Sequence, residues 1–178
     1  MFKKLKQTLF NDFPNFIRNI WKFRKALWNH HWWDYAGVLQ FIETGVTDIA
    51  INIEKKGTEI PESRNKKVAK MQRVIEILKN IREDRYFDIV ERELGRKYDF
   101  KLDFSENKND STAYNITNEI SDEQRDFNNK FFDRVRKLEE SEWHELWDIL
   151  KGPKYGNYDP SKDWNEEYDG SGINSWWD

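Results

Sequence analysis

The sequence predicts a mainly α-helical fold, a compact bundle of about five helices, and three observations support this. Apolar residues recur at steps of three and four over most of the 178-residue chain, which is the period of an amphipathic helix. Capping residues and glycine or proline stops divide this pattern into segments of helix length. Aromatic residues make up 16% of the chain and charged residues 35%, so a few large side chains must build the core of one domain.

The first helix is predicted to begin near Asp12, a capping residue, and Pro14, which suits the first helical turn. It should run to about Trp28. Its apolar side chains form one stripe that is expected to face the core, and cations flank this stripe. The stripe holds Phe13, Phe16, Ile17, Ile20, Trp21, Leu27 and Trp28, and the cations are Arg18, Lys22, Arg24 and Lys25.

Three more helices follow in the pattern. Asp34 is the predicted cap of the second, which ends at residues 57–61, and Gly95 stops the short fourth helix. The third helix has four cations in its first half, where they oppose the helix dipole and require a compensating anion or partner. These cations are Lys66, Lys67, Lys70 and Arg73.

The C-terminal half begins with alternating apolar and charged residues, which favour a small β-hairpin near residues 98–118. A capping box at Ser121 then opens a long helix, which Gly152 terminates. The predicted division is a helical domain, residues 1–152, and an aromatic, acidic C-terminal tail, residues 153–178. This tail is expected to pack on the domain or on a neighbouring subunit.

The charge is unevenly distributed along the chain. The net charge is −3, but residues 1–28 hold seven cations and one acid, whereas residues 151–178 hold three lysines and six acids. Oppositely charged ends can attract each other between two chains, so we expect a homo-oligomer. Because the chain is slightly acidic as a whole, no nucleic-acid polymer is expected as a partner.

The composition excludes several kinds of site. Without cysteine there is no disulfide, thiolate metal site or cysteine nucleophile. Only three histidines are present, two of them adjacent and therefore divergent on a helix, so neither a metal nor a cofactor is predicted. No phosphate-binding loop, dinucleotide fingerprint or nucleophile elbow is present, so no enzyme is predicted. No apolar run has the length of a membrane span or of a signal peptide, which predicts a soluble, cytoplasmic protein with no membrane partner.

Four acidic residues on the long helix leave one enzymatic alternative open. Glu139, Glu142, Glu145 and Asp148 are three residues apart, and all-helical nucleotide pyrophosphatases hold Mg²⁺ with comparable carboxylates. The same spacing is also that of a solvated acidic face.

Residues 21–35 are the densest candidate for a binding site. They interleave six aromatic residues with cations, and such rings stack on nucleobases while Arg and Lys pair with phosphates. Asp34 could accept a hydrogen bond from a base edge if it does not cap a helix. The alternative is that these rings are core, above all Trp21 and Trp28, which have helical spacing.

The aromatic motifs at both ends of the chain resemble those of a widespread family of small tailed-phage proteins. They read W-x-F-R at Trp21–Arg24, W-W-D-Y at Trp32–Tyr35, and W-W-D at Trp176–Asp178. The resemblance covers roughly residues 1–40, the middle helices loosely, and the last three residues. It implies a phage-encoded protein that acts in the host cytoplasm.

The leading hypothesis is a non-enzymatic nucleotide-binding protein that sequesters a cyclic nucleotide signal of host defence, as anti-CBASS sponges do. Arginines and lysines would contact phosphate, Trp28, Trp33 and Tyr35 would stack, and the terminal tryptophans would close over the ligand or dock on a neighbouring subunit. The alternatives are a protein-interaction or structural phage protein and the Mg²⁺-dependent pyrophosphatase. The predicted ligand-binding residues are Arg18, Trp21, Arg24, Trp28, Trp33, Asp34, Tyr35, Lys70, Arg73, Trp176 and Trp177.

Overall fold

The computed structural model describes residues 8–98, 103–107, 110–117, 121–152 and 168–176. These residues are mainly α-helical, so the predicted fold class is confirmed. A π turn, Thr8–Asp12, precedes the first α-helix, and a 3-10 turn, Ile173–Ser175, lies near the end. The α-helices are α1 (Phe13–Asn29), α2 (Tyr35–Lys56), α3 (Pro61–Arg82), α4 (Tyr86–Leu94) and α5 (Asp122–Lys151).

A two-stranded antiparallel hairpin lies in the region where the alternation of side chains favours one. Strand β1 (Asp103–Asn107) pairs with β2 (Asp110–Thr117), and Phe104 stands opposite Ile116. The register shifts between Glu106 and Asn107, which marks an irregularity near the end of β1.

Several predicted helix ends have the expected hydrogen bonds. The Asp34 carboxylate accepts from the Ala36 N–H at 2.9 Å at the start of α2. The Ser121 hydroxyl accepts from the Gln124 N–H at 3.2 Å, which is one half of the predicted capping box. Gly95 has φ 63° at the end of α4, a conformation that glycine adopts without a steric penalty.

The contacts divide the chain into two units. Unit 1 comprises residues 1–83 and 143–178, and unit 2 comprises residues 84–142. In unit 1, α1 contacts α2, and α2 packs along α3. The buried apolar residues of α2 and α3 include Val46, Ala50, Ile53, Val68, Met71, Val74, Ile77, Leu78 and Ile81.

Unit 2 has an aromatic core. Phe131 and Tyr86 are fully buried, and Phe131 stacks on Tyr98 with ring centroids 5.4 Å apart. Phe87 packs against Phe131 at 5.6 Å and against Phe132 at 5.7 Å. These contacts agree with the expectation that large rings build much of the core.

The described part of the tail packs within unit 1. The Gly172 N–H donates to the Ile149 carbonyl at 2.7 Å, and Lys70 pairs with Asp169 at 3.1 Å. Gly170 lies so close to the backbone of Lys66 that an added Cβ would stand 2.4 Å from the Lys66 carbonyl oxygen. The described part of the tail therefore contacts both α3 and the C-terminal end of α5.

The apolar stripe of α1 does not face the core, and this expectation from the sequence is wrong. Ala26 is the buried residue of α1, and Phe23 stacks on Phe41 of α2 with centroids 6.0 Å apart. Lys22 also pairs with Asp48 of α2 at 2.6 Å. Because α1 contacts α2 through this side, its apolar stripe is left in solvent.

None of the helices in the described ranges has both the length and the apolar character needed to cross a bilayer.

Candidate interaction surface on helix α1

The exposed face of α1 presents a row of large apolar side chains to solvent. Exposure along it ranges from 42% at Ile20 to 87% at Trp28. Single exposed apolar residues are ordinary, but a continuous row over a whole helix marks an interaction site. We call this face the α1 surface; it consists of Phe13, Phe16, Ile17, Ile20, Trp21, Arg24, Leu27 and Trp28.

An open groove of about 610 Å³ lies at the N-terminal half of this surface. Its lining is almost entirely apolar, and the Arg18 side chain stands at its edge. The lining residues are Phe13, Pro14, Ile17, Arg18, Ile20 and Trp21. A groove of this chemistry suits an apolar side chain far better than a phosphate group.

Two of the predicted phosphate-binding cations, Arg18 and Arg24, lie beside or within the α1 surface. The Arg24 guanidinium packs over the Trp21 ring, 4.3 Å from its centroid, and donates to the Trp21 carbonyl at 2.6 Å. Arg18 donates to the Asn15 side chain at 2.5 Å. Both arginines are exposed, and their polar contacts are local to α1.

The turn between α1 and α2 carries a second exposed aromatic group. His31 stacks on Trp33 with centroids 5.0 Å apart, and Trp32 meets Trp33 edge to face at 5.4 Å. Trp33 and Tyr35 are both exposed, as their predicted stacking role requires. The predicted core alternative for Trp21 and Trp28 is wrong, since both rings lie in solvent.

Asp34 does not have the role that was predicted for it at a base edge. Its carboxylate caps α2 by accepting from the Ala36 N–H, and its own N–H donates to the His31 carbonyl at 3.0 Å. Reading a base would compete with the hydrogen bond that starts the helix.

Lys70 and Arg73, the other predicted phosphate contacts, are engaged by acids of the same unit. Arg73 donates from Nε and Nη2 to the two oxygens of Glu145, at 2.9 and 2.6 Å. Hydrogen bonds from Arg73 hold the pKa of Glu145 below its ordinary value. Burial raises the pKa of Asp169, but bonds from Ser171 and Lys70 outweigh it and leave this pKa lowered. Protein acids thus supply the anions that the cations of α3 require, and a phosphate at Lys70 or Arg73 would have to displace a carboxylate.

Trp176 was predicted to close over a ligand or to dock on a neighbouring subunit, and the structure packs it within its own chain. Its side chain is buried in unit 1, and its indole N–H donates to the Gly170 carbonyl at 2.9 Å. Trp177, the other residue of this prediction, lies outside the described residues.

Two of the four carboxylates of the enzymatic alternative are occupied by protein contacts. Glu142 is buried and accepts from the Tyr86 hydroxyl at 3.0 Å, while Glu145 is held by Arg73. Asp148 is exposed. Within the described ranges no group of three His, Asp or Glu side chains is placed to hold a metal ion.

Comparison with protein-family models, with curated proteins and with solved structures finds no match for this chain. Function is therefore inferred from the surfaces described above.

The sequence placed the aromatic motif correctly on α1 and the following turn. It did not reveal which other side chains of α1 share the exposed face with this motif. Phe13, Phe16, Ile17 and Ile20 were expected in the core and instead complete the exposed surface. One signal was available: at 100° per residue, Arg24 projects into the middle of the apolar stripe. A cation there is costly in a core and acceptable on an interaction surface.

Proposed function

We propose that this protein is a non-enzymatic binding protein that docks on a protein partner through the α1 surface. The observation that carries the proposal is the continuous exposure of the apolar stripe of α1. This function corresponds to the interaction alternative from the sequence rather than to nucleotide sequestration. A phage origin and a place in the host cytoplasm remain part of the proposal.

The composition of the α1 surface supports this choice. Trp, Tyr and Arg are the side chains that most often dominate the binding energy of protein interfaces. Trp21, Arg24 and Trp28 follow one another on this face at helical spacing, and Ile17 and Ile20 precede them on the same face. Removing apolar area from water is worth about 25 cal/mol per Å², so a partner that covers this row gains a substantial driving force.

A pair of matched isoleucines provides the test. Ile20 on the α1 surface is 42% exposed and Ile51 on α2 is 43% exposed, so Ile20→Ser and Ile51→Ser remove the same group from equally exposed sites. Photo-crosslinking from position 17 in producing cells identifies the partner, and calorimetry with that purified partner measures affinity. We expect Ile20→Ser to weaken binding about tenfold, equivalent to about 1.4 kcal/mol.

Ile51→Ser should bind as the wild type does. Equal affinities for the wild type and Ile20→Ser would overturn the proposal, as would a crosslink that forms equally well from the exposed polar position Asn52 on α2. Circular dichroism of each variant confirms that the helices are retained.

Nucleotide binding remains a second candidate because of one observation, the exposed rings at the turn between α1 and α2. Trp28, Trp33 and Tyr35 are open to solvent and could stack on bases, each worth about 1–3 kcal/mol. Arg24 would then supply the phosphate contact. This candidate keeps the predicted cyclic nucleotide ligand but not Lys70 or Arg73.

The test of this second candidate is the recovery of bound nucleotide. The purified chain is incubated with a bacterial nucleotide extract and cyclic dinucleotides, washed, denatured and analysed by mass spectrometry. An intact nucleotide in stoichiometric amount, lost in Trp33→Ala, would favour sequestration. Recovery of an altered nucleotide would point to the Mg²⁺-dependent pyrophosphatase. If no nucleotide is recovered, docking on a protein partner remains the proposed function.

A further inference from the structure

Arg24 occupies an unusual place within the α1 surface. On a helical projection it falls between Ile17 and Ile20, in the middle of the apolar row. Its guanidinium lies over the Trp21 ring and donates to that residue's carbonyl at 2.6 Å. A fixed positive charge is therefore presented at the centre of an apolar face.

Arg18 places a second guanidinium on the other side of Trp21. It stands at the edge of the groove, six residues before Arg24, which is about 9 Å along a helix axis. Among the residues that the structure describes, neither arginine meets a carboxylate, although the neighbouring Lys22 is paired with Asp48 at 2.6 Å. Arg18, which lines the groove, and Arg24, which packs over the Trp21 ring beside it, thus have no acid partner among the described residues.

We infer that the occupant of the α1 surface is an acidic, amphipathic segment of another protein, and this rests on the proposed function. A large apolar side chain of that segment fills the groove, and carboxylates on either side of it pair with Arg18 and Arg24. Covering a guanidinium with apolar surface is costly unless a carboxylate meets it, and arginine pairs with carboxylates through two parallel hydrogen bonds.

A second α1 helix is a poor occupant. Residues 13–29 contain four cations and no acid, so two α1 surfaces in contact would set arginine against arginine. Like charges that face each other across an interface cost several kcal/mol. The charge of the helix therefore selects an acidic segment and rejects a copy of itself.

An anionic lipid surface fits less well than a protein. Helices that lie on membranes keep their cations on the polar face and their apolar residues on the other. Arg24 breaks this segregation, since it projects from the centre of the apolar row. The groove also suits one inserted side chain, which a lipid surface does not require.

The test selects binders from a displayed library of short random peptides on the full-length protein. We expect the selected peptides to carry acidic residues around a large apolar residue. The variant with both Arg18→Glu and Arg24→Glu should bind these peptides at least about tenfold more weakly and should itself select peptides rich in lysine and arginine. The matched control, Lys55→Glu with Lys56→Glu at the exposed end of α2, should retain wild-type affinity.

The remaining outcomes separate the two proposals. Peptides that require Ile17 but show no preference for acids would overturn the acidic occupant and leave docking at the α1 surface standing. If no selected peptide loses binding in Ile17→Ser, both fail. Binding to vesicles of phosphatidylcholine and phosphatidylglycerol that is lost in Ile17→Ser, with no acidic peptide selected, would replace the protein segment by a membrane surface.

Discussion

At the scale of single residues, the pair of Arg73 and Glu145 shows how a predicted binding residue became a structural one. Arg73 was expected to hold a phosphate, and the structure gives it a carboxylate in the same geometry, with two parallel hydrogen bonds. Guanidinium groups recognise carboxylates and phosphates through the same fork of donors. The residue type was therefore informative, but the sequence did not reveal that Glu145, 72 positions away, was the acceptor.

This pair makes a prediction for stability as a function of pH. Because the pKa of Glu145 is lowered below its ordinary value of 4.5, its contribution to stability is present above 4.5 and is lost as the pH falls through the lowered pKa. Both side chains are partly exposed, so we expect Glu145→Gln to cost about 0.5–1 kcal/mol at neutral pH. Urea denaturation should show this gap closing well below pH 4.5.

The exposed Glu140, on the same helix, is the control for this experiment. Glu140→Gln should leave the urea midpoint close to that of the wild type at neutral pH. A gap between the wild type and Glu145→Gln that stays constant into the acid range would show that the charge of Glu145 contributes nothing to stability.

At the scale of elements, the contact between the tail and α3 depends on a glycine. Gly170 has φ 89°, and a Cβ there would stand 2.4 Å from the backbone of Lys66. Gly45 in α2 has nothing within 4 Å of the corresponding position. The two glycines therefore predict opposite effects for the same substitution.

Gly170→Ala should destabilise the protein by more than about 1 kcal/mol, because both the backbone conformation and the close approach exclude a side chain. Gly45→Ala should be neutral or stabilising by up to about 1 kcal/mol, since alanine is the better helix former. Thermal unfolding compares the two. Equal shifts in Tm for the two variants would mean that the tail does not pack against α3 in solution.

The sequence predicted the helices well because their evidence is local. Apolar period, the Asp34 cap and the Gly95 stop each lie within a few residues of the boundary that they define. An amphipathic pattern also shows that α1 has an apolar face. It does not show whether the rest of the chain or a binding partner covers that face. The packing of Gly170 and Trp176 had no periodic signal, so the sequence left open whether the tail packs on its own domain or on a neighbouring subunit.

At the scale of the whole molecule, α1 and the rest of the chain carry net charges of opposite sign. The chain has a net charge of −3, so with four cations in α1 the remaining residues carry −7. The expected homo-oligomer remains a prediction, and the mutual repulsion of α1 helices excludes only a contact between two α1 surfaces. Trp143 and Trp147, exposed and one turn apart on α5, are the alternative aromatic patch.

We predict that sedimentation velocity detects an oligomer that dissociates in Trp147→Ser and persists in Arg24→Glu. Trp147→Ser removes apolar contact area from α5, whereas Arg24→Glu alters only the α1 surface, where we propose that another protein docks. A monomer in the wild type would contradict the oligomer itself. Dissociation in Arg24→Glu would instead assign the contact between subunits to α1.

The division into two units also constrains the order in which this protein can fold during synthesis. Unit 2 is one continuous stretch, residues 84–142, whereas unit 1 takes residues from both sides of it. Domains generally fold as units while the chain leaves the ribosome. Unit 2 is complete when residue 142 emerges, but the ion pair of Lys70 on α3 with Asp169 cannot form until the tail follows. Until then the first two-thirds of unit 1 is exposed to the chaperones and proteases of the cell, which makes α1 accessible to a partner before the protein is finished.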